Sequence, residues 1–256
     1  MDTIRKRDSR RGRITYEVAG LAWLAEASDP GVAVVPVLDH GATWLEEPRL
    51  VSVPPTVEAA EQFGRALAHT HTAGANHLGA PPPGFDGEGW MGEAALSLPR
   101  DATKASNRTM HRTESGVPSE ASDPRRPARG ETAQDRATAS SWGAFYARER
   151  IAPYLDAPVF SVSDRTLIER LCERLESGAL DHDQPHLVSD VIARPDPVGA
   201  ARTHGDLWSG NVMWTPEGAV LIDPAAQGGH AEEDLAALAV FGCPHYERIL
   251  AAYNEA

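Results

Sequence analysis

The chain has 256 residues, enough for one sizeable core or for a small lobe beside a larger one. Its 41% hydrophobic and 24% charged content is that of an ordinary globular protein. A formal net charge of -13 argues against a nucleic-acid binder, whose surface must neutralise phosphate, but does not exclude a nucleotide held by local cations and a metal.

The N-terminal segment is basic (Arg5, Lys6, Arg7, Arg10, Arg11, Arg13) and carries no apolar stretch of the secretory kind. No later apolar run reaches membrane-spanning length. Only two cysteines occur, Cys172 and Cys243, so a disulfide framework is not expected. A cytoplasmic protein with no membrane and no nucleic-acid partner is the expectation; the sequence does not specify an oligomeric state.

Residues 14–27 place Val18, Leu21, Ala22 and Ala25 at helical spacing, and Ser28-Asp29-Pro30-Gly31 closes that helix. Extended runs are expected at 32–38, 43–45 and 49–53, separated by Gly41 and Pro48. Thr56 then caps a long amphipathic helix with Val57, Ala60, Phe63, Leu67 and His71 on one face, ending near Gly74. The Pro- and Gly-rich stretch 81–99 reads as loop, anchored by Trp90. Residues 100–140 lack large apolar side chains and include a second arginine-rich tract, which predicts a disordered insertion.

Helical periodicity returns over 142–154 and again over 164–175, with Asp164 as N-cap and Leu167, Ile168, Leu171 and Leu175 inward. Residues 198–224 change to short extended pieces around a Pro-Glu-Gly turn, and helices at about 232–241 and 245–254 follow. The order predicts an α+β protein with a sheet-containing front lobe over 1–55 and a mainly helical back lobe over 56–256.

The chemistry concentrates in His204-Gly205-Asp206-Leu207-Trp208-Ser209-Gly210-Asn211 and, after a hairpin, Val220-Leu221-Ile222-Asp223. In kinase-type phosphoryl transfer, a loop Asp receives the proton of the substrate hydroxyl. An Asn shortly after it and a second Asp beyond a hairpin then hold magnesium on the phosphates. Asp206, Asn211 and Asp223 have that order and spacing. Oxygen ligands of this kind suit Mg2+, which completes its shell with phosphate oxygens and water. His204 reads as a brace for the loop. Trp208 is either a substrate platform or a core residue.

A kinase also needs a cation for the phosphates, usually a strand lysine paired with a helix glutamate. The chain contains two lysines, Lys6 and Lys104, and Lys104 falls in the expected insertion. Lys6 precedes a helix carrying Glu17, so Lys6 and Glu17 are the expected ATP-phosphate couple. The alternative is that Lys6 is one more charge in a basic tail.

HGDLWSGN and the later IDPAAQGGHAEEDLA resemble the fructosamine/ketosamine kinase family, one of the aminoglycoside-phosphotransferase-like kinases with a two-lobed protein-kinase-like fold. YEVAGLAWLAEA, FGRALAHTH, FYARERIAPYL and FGCPHYERILAAY extend the likeness over most of the chain outside 100–140. The resemblance implies an ATP- and Mg2+-dependent enzyme that phosphorylates the 3-hydroxyl of ketosamines. Its substrates would be small-molecule ketosamines or glycated protein amines, and its role deglycation repair. It makes Asp206 the catalytic base, Asn211 and Asp223 the metal ligands, and Lys6 with Glu17 the phosphate-binding pair. It also sets Trp208 and His230 near the sugar and has Asp234 brace the loop. Against the family pattern the chain starts at the third strand, after the glycine-rich hairpin, ends before the closing helices and has Ala231 where arginine is common. A truncated form is therefore expected, with a weakly active or inactive relative, or a kinase for another small alcohol or aminoglycoside, as the alternatives.

Overall fold

The computed structural model describes residues 2–100, 141–192 and 199–256, and the expectation for 101–140 lies outside them. The described residues fall into two compact units, one from 2–100 with 182–192 and 199–256, the other from 141–181. The described elements are mixed α and β, as the sequence predicts.

In the first unit, β1 (Thr3–Arg7) and β3 (Asp39–Gly41) flank β4 (Trp44–Pro48) in an antiparallel sheet, with Lys6 opposite Leu45 and Ile4 opposite Glu47. The basic N-terminal run is thus partly strand. Strand alternation puts Leu45 and Glu47 on one face, and both are buried. The run expected at 32–38 shortens to β2 (Ala33–Val34), because Pro36 supplies no N–H for a ladder. No strand forms at 49–53; before Pro54 and Pro55, Val53 only donates its N–H to the Trp214 carbonyl at 2.9 Å.

Helix α1 (Arg13–Ala25) starts after Gly12, which takes the left-handed conformation at φ 81. Its buried side is Ile14, Tyr16, Leu21, Trp23 and Leu24, while Ala22 and Ala25 are exposed. The expected stripe was rotated because small alanines mark a face less well than Trp23 and Leu24 do. Helix α2 (Val57–Thr72) is capped by Thr56, whose hydroxyl accepts the Ala59 N–H at 3.1 Å. Ala60, Phe63, Leu67 and His71 are buried as expected, but Val57, in the first turn, is exposed. The stretch read as loop contains a hairpin, β5 (Gly89–Met91) with β6 (Ala94–Leu96), packed through Leu96 on Tyr16 and Ala225.

In the second unit, α3 (Trp142–Tyr146) runs into a π-helical turn over 147–151 and a 3-10 turn over 152–154. The expected single helix is interrupted because Pro153 lacks an N–H and its ring crowds the carbonyl one turn back. Helix α4 (Val162–Glu176) begins at Ser161, with Asp164 as the third residue of a capping box rather than the cap itself. Cys172 and Leu175 are buried with Ala147, whereas Leu167 and Leu171 are 66% and 42% exposed. Helical spacing shows which residues share a face, not whether anything covers it.

The first unit resumes with α5 (His186–Ile192) and β7 (Ala201–Thr203). Strands β8 (Val212–Thr215) and β9 (Gly218–Leu221) form the hairpin expected at Pro-Glu-Gly, and β2 adds parallel to β9. β10 (Gln227–Gly229) pairs with β7 and leads into α6 (Ala231–Val240) and α7 (Tyr246–Glu255). The main core joins Phe63, Leu67, Leu207, Leu221, Leu238 and Ile249. Each such buried side chain contributes about 1.5–3 kcal/mol. Gly64 lets α2 lie directly on α7, since a Cβ there would meet the Ile249 carbonyl. Cys172 and Cys243 are free thiols. Among the described residues no helix is long and apolar enough to cross a membrane.

Candidate active site

β7 delivers the chain into the loop carrying Asp206. Gly205 turns it at φ 79, where a Cβ would meet the Ala225 carbonyl. Asp234, in the first turn of α6 and fully buried, accepts the His204 N–H at 2.6 Å and the Gly205 N–H at 2.9 Å. Behind it, His71 of α2 contacts Asp234 through Nε2 at 3.2 Å and the Tyr253 hydroxyl of α7 through Nδ1 at 2.8 Å. Burial alone would raise the Asp234 carboxyl, but His71 and then His204 outweigh it and hold Asp234 below the ordinary carboxylate range. Burial, helped by the negative charge of Asp234, pushes the Tyr253 hydroxyl well up.

The His204 ring spans the loop and the strand end, donating from Nε2 to the Ile222 carbonyl at 2.9 Å while Nδ1 accepts the Asp206 N–H at 3.3 Å. Burial lowers its pKa. Asn211 donates from Nδ2 to the Asp206 carbonyl at 2.7 Å and to Asp206 Oδ2 at 3.3 Å, and its own carbonyl accepts the Ile222 N–H at 3.1 Å. The Asp206 loop and the end of the β8–β9 hairpin are thereby tied together. Burial raises the Asp206 pKa against the opposing pull of His204 and Asn211. Asp223 sits at φ 55, a strained conformation for a residue with a Cβ.

From β1, Lys6 Nζ lies 2.9 Å from Glu17 Oε1 of α1 and 3.1 Å from Glu47 Oε2 of β4, and also contacts Asp223 Oδ1. Burial disfavours the ammonium, yet Glu17 and Asp223 outweigh it and hold Lys6 above its ordinary pKa. Burial raises Glu17 and Glu47 despite the attraction of Lys6.

Lys6, Glu17, Asp206, Trp208, Asn211 and Asp223 line one cleft of about 340 Å³. His204 and Asp234 stand behind its loop. His230 does not line it: it caps α6, its Nε2 lies 3.3 Å from the Asp183 carbonyl, and burial with His182 nearby lowers its pKa. Trp208 is 40% exposed, edge-on to the exposed Phe241 ring at 5.8 Å, and so is no core residue. Sequence reasoning missed Glu47, Arg7, Arg13 and Trp90 at or beside the cleft. Glu47 was signalled by period-two alternation with Leu45.

The chemistry of the donor set fits a hard cation. Asn211 directs its amide N–H groups to Asp206 and to the Asp223 carbonyl, and the Asp223 side chain is 45% exposed. Among the described residues no group of three or more His, Cys, Asp or Glu is arranged to hold a metal. A Mg2+ that keeps water and phosphate oxygens needs no such cage.

A family model described as fructosamine kinase matches residues 125–256. Ketosamine-3-kinase of Mus musculus is 37% identical over 102 residues, which are 40% of this chain and 29% of the mouse protein. A probable ketoamine kinase of Thermus thermophilus is 45% identical over 56 residues, 22% of this chain and 21% of that protein. The matched stretches thus span under a third of either relative. The crystal structure of a candidate fructosamine-3-kinase from Thermobifida fusca superposes with a TM-score of 0.68 at 32% identity, covering 99% of this chain and 70% of that one. A second, from Haemophilus somnus, gives 0.61 at 17% identity over 98% of this chain and 68% of that one, a likeness of fold alone. The described α+β fold is therefore the kinase-like one shared with these structures, and the chain belongs to the fructosamine kinase family.

Proposed function

We propose that the chain phosphorylates the 3-hydroxyl of ketosamines with ATP as donor, a deglycation reaction carried out in the cytoplasm on free or protein-bound glycated amines. The observation that carries this reading is the convergence of Asp206, Asn211, Asp223 and Lys6 on one cleft. Mg2+, when bound, neutralises phosphate charge.

In this reading the Asp206 carboxylate orients the substrate hydroxyl and takes its proton, and its burial makes it a stronger base than an exposed aspartate. Asn211 and Asp223 would hold the cation. Lys6, kept charged by its carboxylate neighbours, contacts the donor phosphates, with Glu17 steadying it. Asp234 and His204 fix the loop so that Asp206 needs no reorganisation as the proton moves. The half-exposed Trp208 ring offers the sugar an apolar face, and His230 orients that end of the site through α6. The front lobe is residues 1–55 and the back lobe 56–256 in this scheme.

The deciding experiment is magnesium-dependent ATP consumption by the purified chain with ribulose-lysine and fructose-lysine. Turnover stimulated by either compound and lost in Asp206→Asn is expected. Folded protein that consumes no ATP with either one defeats the reading.

A further inference from the structure

Lys6 donates hydrogen bonds to Glu17 of α1 and to Asp223 beyond β9, and its ammonium also forms an ion pair with Glu47 Oε2 of β4 at 3.1 Å. These partners differ in exposure. The Asp223 side chain is 45% exposed, that of Glu17 12% and that of Glu47 only 6%. Glu47 Oε2 faces Lys6, while Oε1 is buried with no hydrogen-bond partner. A buried carboxylate with one oxygen unsatisfied is costly, and such a group calls for a functional reason. Position 47 shares its sheet face with Leu45 and with Lys6, which stands opposite Leu45 across the strands, so the buried carboxylate is placed beside the ammonium.

Resting on the kinase reading above, we infer that Glu47 is a second, buried anchor of Lys6, a positioning residue that fixes the ammonium to its own sheet independently of Glu17 on α1. Asp223 is the exposed partner and the one that would be free to ligate a cation, leaving one Lys6 N–H for a phosphate oxygen. Lys6 then keeps two carboxylates, a partly buried one from a helix and a buried one from the sheet. The Lys6 head group therefore stays in place even when α1 shifts, since Glu47 joins the sheet that carries Lys6 itself. A desolvated carboxylate with a single partner also holds that partner more strongly than an exposed one does.

The test uses calorimetric affinity for Mg·ATP in the full chain, in wild type, Glu47→Gln, Lys6→Ala and the double variant. Loss of a buried ion-pair partner of the phosphate-binding lysine predicts about 10-fold weaker binding in Glu47→Gln. No further weakening is expected when Lys6 is already alanine, because Glu47 acts through Lys6. Binding at least as tight as wild type in Glu47→Gln overturns the inference, since Glu47 would then only repel phosphate. An equal loss in the Lys6→Ala background also overturns it, since the effect would be on the fold. If the wild type does not bind Mg·ATP, the kinase reading fails and a second measurement still decides the role of Glu47. With two lysines in the chain, carbon-13 lysine labelling gives a Lys6 signal that Lys6→Ala identifies. Lys6 Cε should remain rigid in Glu17→Gln and become mobile in Glu17→Gln/Glu47→Gln. Mobility in Glu17→Gln alone overturns the second anchor.

Discussion

On the side of the cleft that carries Asp206, the groups shaping the loop are matched from inside the protein. The His204 and Gly205 N–H groups bond Asp234, Asp234 also meets His71, and His71 meets Tyr253. On the side that carries Lys6, one ammonium faces three carboxylates, and Glu47 keeps an oxygen with no partner. The first side gains its geometry from saturated hydrogen bonds and has nothing to exchange. The second holds three carboxylates around one ammonium, an arrangement that the proposed phosphate and metal would redistribute. On the proposed reading, the comparison separates a fixed base from a phosphate site that rearranges, as preorganised phosphoryl transfer requires.

The largest test strikes the chemistry and should leave both sides intact. Asp206→Asn keeps the side-chain volume and removes the base. The expected result is a fall of about 1000-fold in kcat, roughly 4 kcal/mol of transition-state stabilisation. Mg·ATP affinity, measured by calorimetry, should stay within about twofold. A tenfold change in affinity would mean that Asp206 belongs to the phosphate site and that the division is drawn in the wrong place.

The next test removes the brace. Asp234→Asn turns an amide N–H toward donors that need an acceptor, and should cost about 3 kcal/mol in urea unfolding at pH 7. The sign with pH follows from the lowered folded pKa of Asp234. Its contribution is present above the unfolded value of about 4 and is lost as pH falls through the lower folded value. The stability gap between wild type and Asp234→Asn should therefore be wide at pH 7 and narrow in acid. A gap that is constant with pH would remove Asp234 from its bracing role.

These two sides were unequally legible in the sequence. Asp206, Asn211 and Asp223 stand in the order expected of kinase-type phosphoryl transfer, and a tight loop and a hairpin bring them to one cleft. Lys6 stood out because the alternative lysine lies in the 101–140 tract. Glu47 was hidden: in Trp44-Leu45-Glu46-Glu47-Pro48 a pair of acids reads as solvated edge, and only strand alternation distinguishes the exposed-side Glu46 from the buried Glu47. The β5–β6 hairpin was hidden as well, because its strands are three residues long and prolines and glycines surround it. The long α2 was readable, with a Thr cap and a regular apolar face. On α4 the same periodicity named Leu167 and Leu171, which stay exposed, since spacing carries no information about a covering partner.

A smaller effect is expected within the loop itself. Gly205→Ala forces a left-handed φ on a residue with a Cβ and drives that Cβ toward the Ala225 carbonyl. The loss should be about 2 kcal/mol in unfolding, together with a lower kcat and a nearly unchanged Mg·ATP affinity. Equal losses in kcat and affinity would show that the loop and the phosphate site move together.

The smallest test lies away from both sides and asks whether they can be perturbed through the scaffold. Thr56→Ala deletes the hydroxyl that accepts the Ala59 N–H at 3.1 Å and leaves that donor to water at the first turn of α2. The expected cost is about 1 kcal/mol, read as a lower unfolding midpoint with an unchanged denaturant slope. His71 sits at the far end of the same helix, on the buried side that meets Asp234. Fraying of the first turn is local, because helical hydrogen bonds further along are made independently of the cap. Turnover at temperatures below unfolding should therefore match wild type. A kcat that falls with Thr56→Ala would instead mean that α2 transmits strain along its length to Asp234, and that the brace depends on the whole helix rather than on the buried contact alone.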